Sequence, residues 1–281
     1  MSVRSIDQLT ELRGAIAEFR AAGERVGLVP TMGNLHAGHL SLVRAIRDHC
    51  DRIVVSIFVN PTQFGPGEDF QTYPRTLNAD LESLKKADCD LVWRPDVDTM
   101  YPLAESFMVQ PPNHLTDRLC GLNRPGHFTG VASVVLRLFN QVWPDVALFG
   151  EKDFQQLLII RHMVSDLALP IDILGLETVR EPDGLAMSSR NQYLSPSERK
   201  IAPLLYRTLI ELAEKLADDQ PWEVLKATAW DRLERSGFQP QYLEWLSGED
   251  LGSPQPGRPQ RLLVAARLGK ARLIDNISLC R

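Results

Sequence analysis

Two histidines, His36 and His39, stand three residues apart in the segment PTMGNLHAGHL, which follows a short apolar run. On the first turn of a helix this spacing puts both rings on one face. A strand, a glycine-bearing turn and a helix also present free backbone N–H groups and the positive end of a helix dipole. The pattern therefore predicts a phosphate site that both imidazoles contact. Two alternatives stay open: His36 caps the helix while His39 packs against the sheet, or the pair binds zinc, for which further ligands are missing.

A lysine follows a second apolar run, VALF, in the segment GEKDFQQ. Lys152 therefore lies at the carboxyl end of a predicted strand, where ligands bind in open α/β sheets. Its charge suits a triphosphate, and Gln156 faces the same way one helical turn later. Asp153 is predicted to cap the helix that follows. A solvated lysine in a turn is the alternative interpretation.

Amide groups follow a third apolar run in the segment FVNPTQFG, where Asn60 and Gln63 can hydrogen-bond a small polar substrate. His127 precedes a helix in the segment PGHFTGV. For this histidine, substrate contact and a capping or supporting role are both open.

Two hydroxyls and a guanidinium, from Ser188, Ser189 and Arg190, occur together in the segment AMSSRN. A loop of this kind can fold over phosphates. The alternative is a solvated linker, which such a composition also fits. The segment therefore supports a phosphate site only together with the histidine and lysine motifs.

The elements that position these motifs are predicted to alternate between strand and helix along the first two thirds of the chain. Strands are predicted over 25–30, 52–60, 90–93, 146–149 and 171–179, and helices over 9–22, 40–49, 78–87, 129–142 and 154–168. This alternation predicts a Rossmann-like, doubly wound parallel sheet, with the ligand crevice beyond the carboxyl ends of its strands.

A polar, turn-rich stretch after Val179 predicts a domain boundary there. Residues 1–180 would form the Rossmann-like domain. Residues 181–281 would form a smaller C-terminal α+β domain that carries the MSSRN loop and acts as a lid. Its helices are predicted near 197–217 and 221–236, and its strands near 241–246, 261–268 and 273–278.

The charge of the chain argues against a nucleic-acid partner. The 31 Lys and Arg residues are outnumbered by 36 Asp and Glu residues, so the net charge of −5 creates no field that attracts a polyanion. The apolar runs are far shorter than the roughly 20 residues of a membrane span, and no signal-peptide core is present. The four cysteines match no metal or disulfide spacing, so we expect reduced, buried thiols and a cytoplasmic protein.

Six segments in one order closely resemble the pantothenate synthetase (pantoate–β-alanine ligase) family: PTMGNLHAGHL, FVNPTQFG, YPRT, GHFTGV, LFGEKDFQQ and MSSRN. The HxGH and MSSRN elements also resemble the HIGH and KMSKS signatures of the wider adenylyl-transferring superfamily. The match covers about residues 30–191, and the C-terminal third matches only in length and order.

The resemblance implies an ATP-dependent ligase that condenses (R)-pantoate with β-alanine. The products would be pantothenate, AMP and pyrophosphate, and a pantoyl adenylate would be the intermediate. It also implies a homodimer. Two other functions fit the same motifs: a nucleotidyltransferase of the same superfamily, and a regulator that binds nucleotide without turnover.

The resemblance also assigns site residues. His39 is the expected acid for pyrophosphate departure with His36 as its partner, and Lys152, Ser188, Ser189 and Arg190 would hold the phosphates. Pantoate and β-alanine would contact Gln63, Gln156, Asn60 and His127. The expected ATP contacts are Met32, Gly33, Asn34, Leu35, His36, Ala37, Gly38, His39, Gly150, Glu151, Lys152, Asp153, Val179, Met187, Ser188, Ser189 and Arg190.

Magnesium is expected to arrive with ATP, because Mg²⁺ prefers phosphate oxygens and water to an all-protein cage. Asp80 is the candidate protein ligand. This chain has Ala79 and Ser83 where some relatives carry acidic or amide groups, and Ala37 where an acidic residue is common. The first difference argues against a metal site held by the protein, and the second is expected to matter little.

Overall fold

A computed structural model describes residues 3–279 of the chain. Within these residues, nine strands form two sheets, and eleven helices surround them. The strands are β1 (Arg4–Ile6), β2 (Val26–Thr31), β3 (Arg52–Ile57), β4 (Leu91–Trp93), β5 (Val146–Gly150), β6 (Asp172–Leu176), β7 (Gln239–Ser247), β8 (Gln260–Leu268) and β9 (Ala271–Leu279).

The helices include several single turns beside the longer ones. They are α1 (Leu9–Ala21), α2 (Ala37–Ala45), α3 (Leu77–Lys86), α4 (Val97–Met100), α5 (Asn113–Thr116), α6 (Leu119–Asn123), α7 (His127–Val142), α8 (Phe154–Asp166), α9 (Pro196–Ile201), α10 (Leu204–Ala217) and α11 (Trp222–Arg235). Short 3₁₀ turns over 46–49, 61–63, 151–153 and 189–193 connect them.

The first sheet is parallel throughout and has the strand order β1-β4-β3-β2-β5-β6. The chain moves outward from β2 to β3 on one side and returns to β5 on the other. The carboxyl ends of β2 and β5 therefore flank a topological switch point, where open α/β sheets bind ligands. The predicted Rossmann-like sheet is confirmed, and the histidine and lysine motifs follow these two strands.

Apolar side chains cover both faces of this sheet. Helices α1, α7 and α8 pack on one face, where Leu28, Trp93 and Phe139 are buried. Helices α2 and α3 cover the other face around Val43 and Leu84. Strands buried on both faces read as continuous apolar runs, which is why β2, β3 and β5 were predictable.

The second sheet is antiparallel, with the order β7-β8-β9, and packs against α10 and α11. Its other face joins the core of the first sheet through Tyr242 and Leu263. The smaller α+β unit is therefore confirmed in class. Within residues 3–279, no helix has the length and apolar character needed to cross a membrane.

Candidate active site

A cavity of about 250 Å³ opens at the carboxyl edge of the parallel sheet, between β2 and β5. The structure brings most of the predicted residues to its wall, from segments that are distant in sequence. They are Met32, His36, Gly38, His39, Asn60, Gln63, His127, Gly150, Lys152, Asp153, Gln156, Val179, Met187, Ser188, Ser189 and Arg190.

The two histidines begin helix α2 and cap it with their own rings. The Nδ1 atom of His36 accepts the Gly38 N–H at 3.1 Å, and Nδ1 of His39 accepts the His36 N–H at 3.3 Å. The rings lie side by side, with centroids 4.0 Å apart. Since each Nδ1 accepts, a neutral ring carries its proton on Nε2. Capping and phosphate contact thus use opposite nitrogens and are compatible.

Both rings are neutral at physiological pH. Burial, together with the neighbouring His36 and Lys152, lowers the pKa of His39 to about 3. Burial and the Lys152 cation also lower the pKa of His36 to about 4, against a smaller opposing effect of Asp153. Each histidine therefore offers an Nε2–H donor rather than a full positive charge.

The loop before α2 is held by a carboxylate from another helix. Asp80, on α3, is 2% exposed and accepts the backbone N–H groups of Asn34 at 3.0 Å and Leu35 at 2.8 Å. Thr76 donates its hydroxyl to the same carboxylate at 3.1 Å. Gly33 turns the chain toward Asp80 with a φ of 79°.

These contacts weigh against two predictions, the magnesium ligand Asp80 and part of the expected ATP contacts, which stay predictions. Asp80 is buried and already accepts three hydrogen bonds, so the structure does not support it as a magnesium ligand. Gly33, Asn34, Leu35 and Ala37 lie outside the cavity wall, and the N–H groups of Asn34 and Leu35 bind a carboxylate instead of a phosphate. Within the described residues, no three His, Cys, Asp or Glu side chains gather as a metal site.

The turn after β5 directs Lys152 into the cavity and Glu151 away from it. The Lys152 ammonium donates to the Asp153 carboxylate at 3.1 Å, so Asp153 balances that charge and makes no side-chain cap on α8. Glu151 accepts from the Arg261 guanidinium at 3.0 Å. The predicted cap by Asp153 is therefore wrong. The ATP contact expected of Glu151 stays a prediction, and its side chain is paired with Arg261.

Asn60 has no polar atom left for a substrate. Its amide nitrogen donates to Gln63 Oε1 at 3.1 Å and to the Gly130 carbonyl at 3.2 Å. Its oxygen accepts the hydroxyl hydrogens of Tyr101 at 2.7 Å and Thr62 at 3.0 Å. These contacts show how Asn60 positions Gln63, and the substrate contact expected of Asn60 stays a prediction.

Gln63 itself keeps donor capacity toward the cavity. Its oxygen accepts from Asn60, and its amide nitrogen has only the weak thioether acceptor of Met32, at 3.3 Å. Helix α7 approaches so closely that a Cβ at Gly130 would overlap the Thr62 carbonyl. The glycine therefore lets the Gln63 turn sit directly on α7.

His127 supports the same turn, which favours the supporting role over direct substrate contact. Its Nδ1–H donates to the Gln63 carbonyl at 2.8 Å, and its Nε2 accepts from Arg124 at 2.9 Å. Arg124 in turn forms a two-point ion pair with Glu68, both contacts at 2.6 Å. Burial and the Arg124 cation lower the pKa of His127 to about 4, so the ring is neutral.

The segment after Met187 folds onto the histidine loop. Ser189 donates its hydroxyl to the Asn34 carbonyl at 3.3 Å, and Ser188 accepts the Arg190 N–H at 3.3 Å. The guanidinium of Arg190 pairs with Asp69 at 3.2 and 2.8 Å. Arg190 therefore faces the cavity while bound to a carboxylate that no motif had indicated.

Two groups of wall residues were missed by the sequence motifs. Glu177 and Thr178 follow β6, and their position near the carboxyl end of the strand predicted over 171–179 was a usable signal. Arg124 in the wall gave no such signal, because its ion-pair partner Glu68 lies far away in sequence. The same holds for Asp69, which pairs with Arg190 but does not line this cavity. Among the described residues, no polar group pairs with the side chain of Gln156, which stands half-buried in the wall.

A family model and relatives of known name match nearly the whole chain, and all of them indicate the same family. The family model for Pantoate-beta-alanine ligase matches residues 4–278. A pantothenate synthetase from Alkalilimnicola ehrlichii is 52% identical over 281 residues, covering 99% of this chain and 98% of its own length. One from Xylella fastidiosa is 54% identical over 279 residues, covering 98% and 99%.

Solved structures of the same family are also similar to this chain over nearly its whole length. Pantothenate synthetase from Thermus thermophilus superimposes with a TM-score of 0.91 at 46% identity, covering 98% of this chain and 99% of its own. Pantoate-beta-alanine ligase from Francisella tularensis, complexed with β-γ ATP and β-alanine, gives a TM-score of 0.82 at 32% identity, covering 98% and 97%.

Proposed function

The chain belongs to the pantoate-beta-alanine ligase family, and on that premise we propose that the cavity between β2 and β5 carries both steps of its reaction. The chain is an ATP-dependent ligase that condenses pantoate with β-alanine to form pantothenate. The observation that carries the proposal is the meeting of His36, His39, Lys152 and the Ser188–Arg190 segment around one cavity.

A carboxylate is a poor acyl donor, so the first step must activate it. The pantoate carboxylate oxygen attacks the α-phosphorus of ATP, and the bond from that phosphorus to the bridging oxygen breaks. Pyrophosphate leaves with the bonding electron pair, and pantoyl adenylate remains. The β-alanine amine then attacks the acyl carbon, AMP leaves with the C–O bonding electrons, and the amine loses a proton. The protein's task is to align the groups and stabilise the leaving phosphates.

We assign the stabilisation of the leaving group to the histidines and Lys152. With pKa values of about 4 and about 3, His36 and His39 act as Nε2–H donors to phosphate oxygens in the free enzyme. Bound phosphates favour the protonated rings, so proton donation by His39 becomes easier once ATP is present. Ser188, Ser189 and Arg190 complete the phosphate contacts when Arg190 exchanges Asp69 for a phosphate.

Gln63 and Gln156 are assigned to pantoate. Gln63 keeps its amide N–H groups toward the cavity and is held by Asn60 and His127. Gln156 projects from the first turn of α8 without a competing protein partner among the described residues. The two amides can therefore orient the hydroxyl and carboxylate oxygens of the acid.

Magnesium is proposed to enter as the ATP complex. The hard Mg²⁺ ion prefers phosphate oxygens and water, and Asp80 is committed to the backbone of the histidine loop. The ion would neutralise phosphate charge that would otherwise repel the attacking carboxylate.

The larger organisation remains a proposal as well. A boundary near residue 180 is supported by the separate apolar core that begins at Leu185. A homodimer is supported by the family resemblance and by the exposed apolar side chains of Leu103, Phe107 and Met108, and light scattering would test it. A cytoplasmic location is supported by the buried free thiols of Cys50, Cys89 and Cys120, and cell fractionation would test it.

The deciding experiment supplies ATP, pantoate and β-alanine and identifies the products. We expect pantothenate and AMP, together with ATP–pyrophosphate exchange that needs pantoate but not β-alanine. Release of ADP would exclude the adenylate mechanism. Exchange that requires a phosphorylated substrate would instead indicate a nucleotidyltransferase.

A further inference from the structure

A second cavity, of about 210 Å³, adjoins the first and lies against the hairpin formed by β8 and β9. The two cavities share Lys152, Ser188 and Arg190 in their walls. The second cavity is therefore continuous with the end of the site to which we assign the phosphates of ATP.

The charges in this second wall do not balance. Each of its four carboxylates already has an ion-pair partner: Glu68 with Arg124, Asp69 with Arg190, Asp153 with Lys152, and Asp275 with Arg180. Three further cations line the wall, and within residues 3–279 none of them forms an ion pair with a carboxylate. They are Arg267, Lys270 and Arg272.

The hairpin places these cations close together. Arg267 on β8 stands directly opposite Arg272 on β9, so both side chains leave the same face. Like charges directly opposite each other destabilise a sheet. The side-chain partners of Arg272 in the described part of the chain are neutral: Gln241 Oε1 at 2.7 Å, Cys120 Sγ at 3.3 Å and the Tyr242 hydroxyl. Lys270 lies in the turn that joins the two strands.

We propose that Arg267, Lys270 and Arg272 form a subsite for inorganic pyrophosphate. Pyrophosphate that leaves the α-phosphorus carries several negative charges and passes Lys152 and Arg190. The three hairpin cations give the wall of the second cavity an excess of positive charge, which attracts this anion. Its move into the second cavity clears the first for the β-alanine amine. The identity of the anion rests on the proposed function, whereas the binding of an anion does not.

The test is calorimetric titration of the purified chain with sodium pyrophosphate in the absence of ATP. The variant Arg267→Gln/Lys270→Gln removes two exposed cations that make no described hydrogen bond. The matched control, Lys85→Gln/Lys86→Gln, removes the same charge from exposed positions at the end of α3, which precedes the amino end of β4. We expect the Kd for pyrophosphate to rise about tenfold in the hairpin variant and to stay unchanged in the control.

A thermal melt gives a second readout. Pyrophosphate should raise the Tm of the original chain and of the control by the same amount, and that of the hairpin variant by less at equal pyrophosphate concentration. Equal pyrophosphate affinity in all three proteins would overturn the subsite. A raised KM for β-alanine with unchanged pyrophosphate affinity would also overturn it, because the cations would then bind the substrate carboxylate. The two proposals can fail separately. If the hairpin variant loses pyrophosphate binding while the original chain forms no pantothenate, the subsite is supported and the proposed function is overturned.

Discussion

The two nitrogens of each histidine ring in the HxGH turn have different partners. Nδ1 of His36 and of His39 accepts a hydrogen bond from a backbone N–H. Nε2 carries the proton and can donate a hydrogen bond to a phosphate oxygen. A glutamine amide reaches roughly where Nε2 lies, and an asparagine amide roughly where Nδ1 lies. Substitution by these two residues therefore separates phosphate contact from capping.

At position 39 we expect His39→Gln to retain more activity than His39→Asn. Loss of a donor aimed at developing charge lowers kcat by about 10²- to 10³-fold, so His39→Asn should fall to that level together with His39→Ala. The rate of ATP–pyrophosphate exchange measures the effect. Higher activity of His39→Asn than of His39→Gln would mean that the ring serves only as a helix cap.

The neutral His127 ring makes stability depend on pH. Its pKa is about 4 in the folded chain and near 6.5 when unfolded, so below pH 6.5 only the unfolded chain takes up the proton. Stability is therefore complete above pH 6.5 and is lost as pH falls toward 4. Between pH 7 and pH 5 this ring should account for about 1–2 kcal/mol.

Urea unfolding at both pH values tests this contribution with the non-titrating variant His127→Gln. The pH dependence of the unfolding free energy should shrink by that amount in the variant. An unchanged pH dependence would show that the folded ring titrates normally.

Asp80→Asn tests whether that carboxylate holds a loop or a metal. An amide can accept only on its oxygen, so its NH₂ group would face a backbone N–H, at a cost of about 1–3 kcal/mol in unfolding free energy. The half-saturating Mg²⁺ concentration should stay unchanged. Thr76→Val is the matched control, since it removes one hydrogen bond from Asp80 but keeps the charge. A shift in Mg²⁺ dependence in Asp80→Asn alone would restore the metal assignment.

At the scale of elements, two loops meet over the site through Asp69 and Arg190. Asp69 lies between β3 and α3, and Arg190 lies after β6, in the 3₁₀ turn over 189–193. The pair is partly buried, with 22% and 31% of the side chains exposed. Arg190 cannot contact a phosphate with the same N–H groups until Asp69 releases them. If Arg190 binds an ATP phosphate as proposed, the ion pair competes with ATP.

We expect Asp69→Asn to bind ATP more tightly, by about threefold to tenfold in Kd, because the competing carboxylate charge is gone. Asp183→Asn is the control, since Asp183 forms a comparable ion pair with Arg199 away from the cavity. Fluorescence or calorimetric titration with ATP measures both. Weaker ATP binding in Asp69→Asn would show that the pair builds the site instead of competing with it.

The order of elements was largely predictable because the central strands are buried on both faces and their apolar runs stand out. The strand β1 was not predicted, since its three residues show mostly exposed side chains. Helix α2 begins at Ala37, earlier than the apolar pattern at Leu40 indicated, because the two histidines supply its cap. Motifs thus located the cavity, but they could not identify which side chains satisfy one another across it.

The side-chain partners across the cavity could not be predicted for a physical reason. The partners of the motif residues are separated from them by long stretches of chain: Asp80 from Asn34, Asp69 from Arg190, and Arg261 from Glu151. Such pairs form only when the fold brings the segments together. Asn60 and His127 look like substrate contacts in sequence for the same reason, since the groups that saturate them become neighbours only in three dimensions.

For the whole molecule, two ion pairs join the small sheet to the parallel-sheet unit. Asp275 on β9 is 4% exposed and pairs with Arg180 at 2.7 and 2.9 Å, and Arg261 on β8 pairs with Glu151. Burial raises the pKa of Asp275, and the Arg180 cation opposes that shift. Removal of Arg180 would leave a buried carboxyl group without its charge partner.

Arg180→Met should therefore lower the free energy of unfolding by about 3–5 kcal/mol. Arg258→Met is the control, because Arg258 pairs with Glu249 on the surface and its loss should cost less than about 1 kcal/mol. Urea denaturation compares the two variants. A similar small cost for both would mean that Asp275 is protonated or solvated in the folded chain.

Asn276, next to Asp275 on β9, donates its amide N–H groups to the carbonyls of Glu151 and Lys152 at 2.8 and 3.0 Å. The last strand of the chain thus fixes the backbone that presents the phosphate-side lysine. Genetic recombination that replaced residues 181–281 with a foreign domain would remove that hold, even if the new domain covered the cavity. The two parts of the gene are therefore expected to be inherited together, with positions 151 and 261, and 180 and 275, changing in concert as the family diverges.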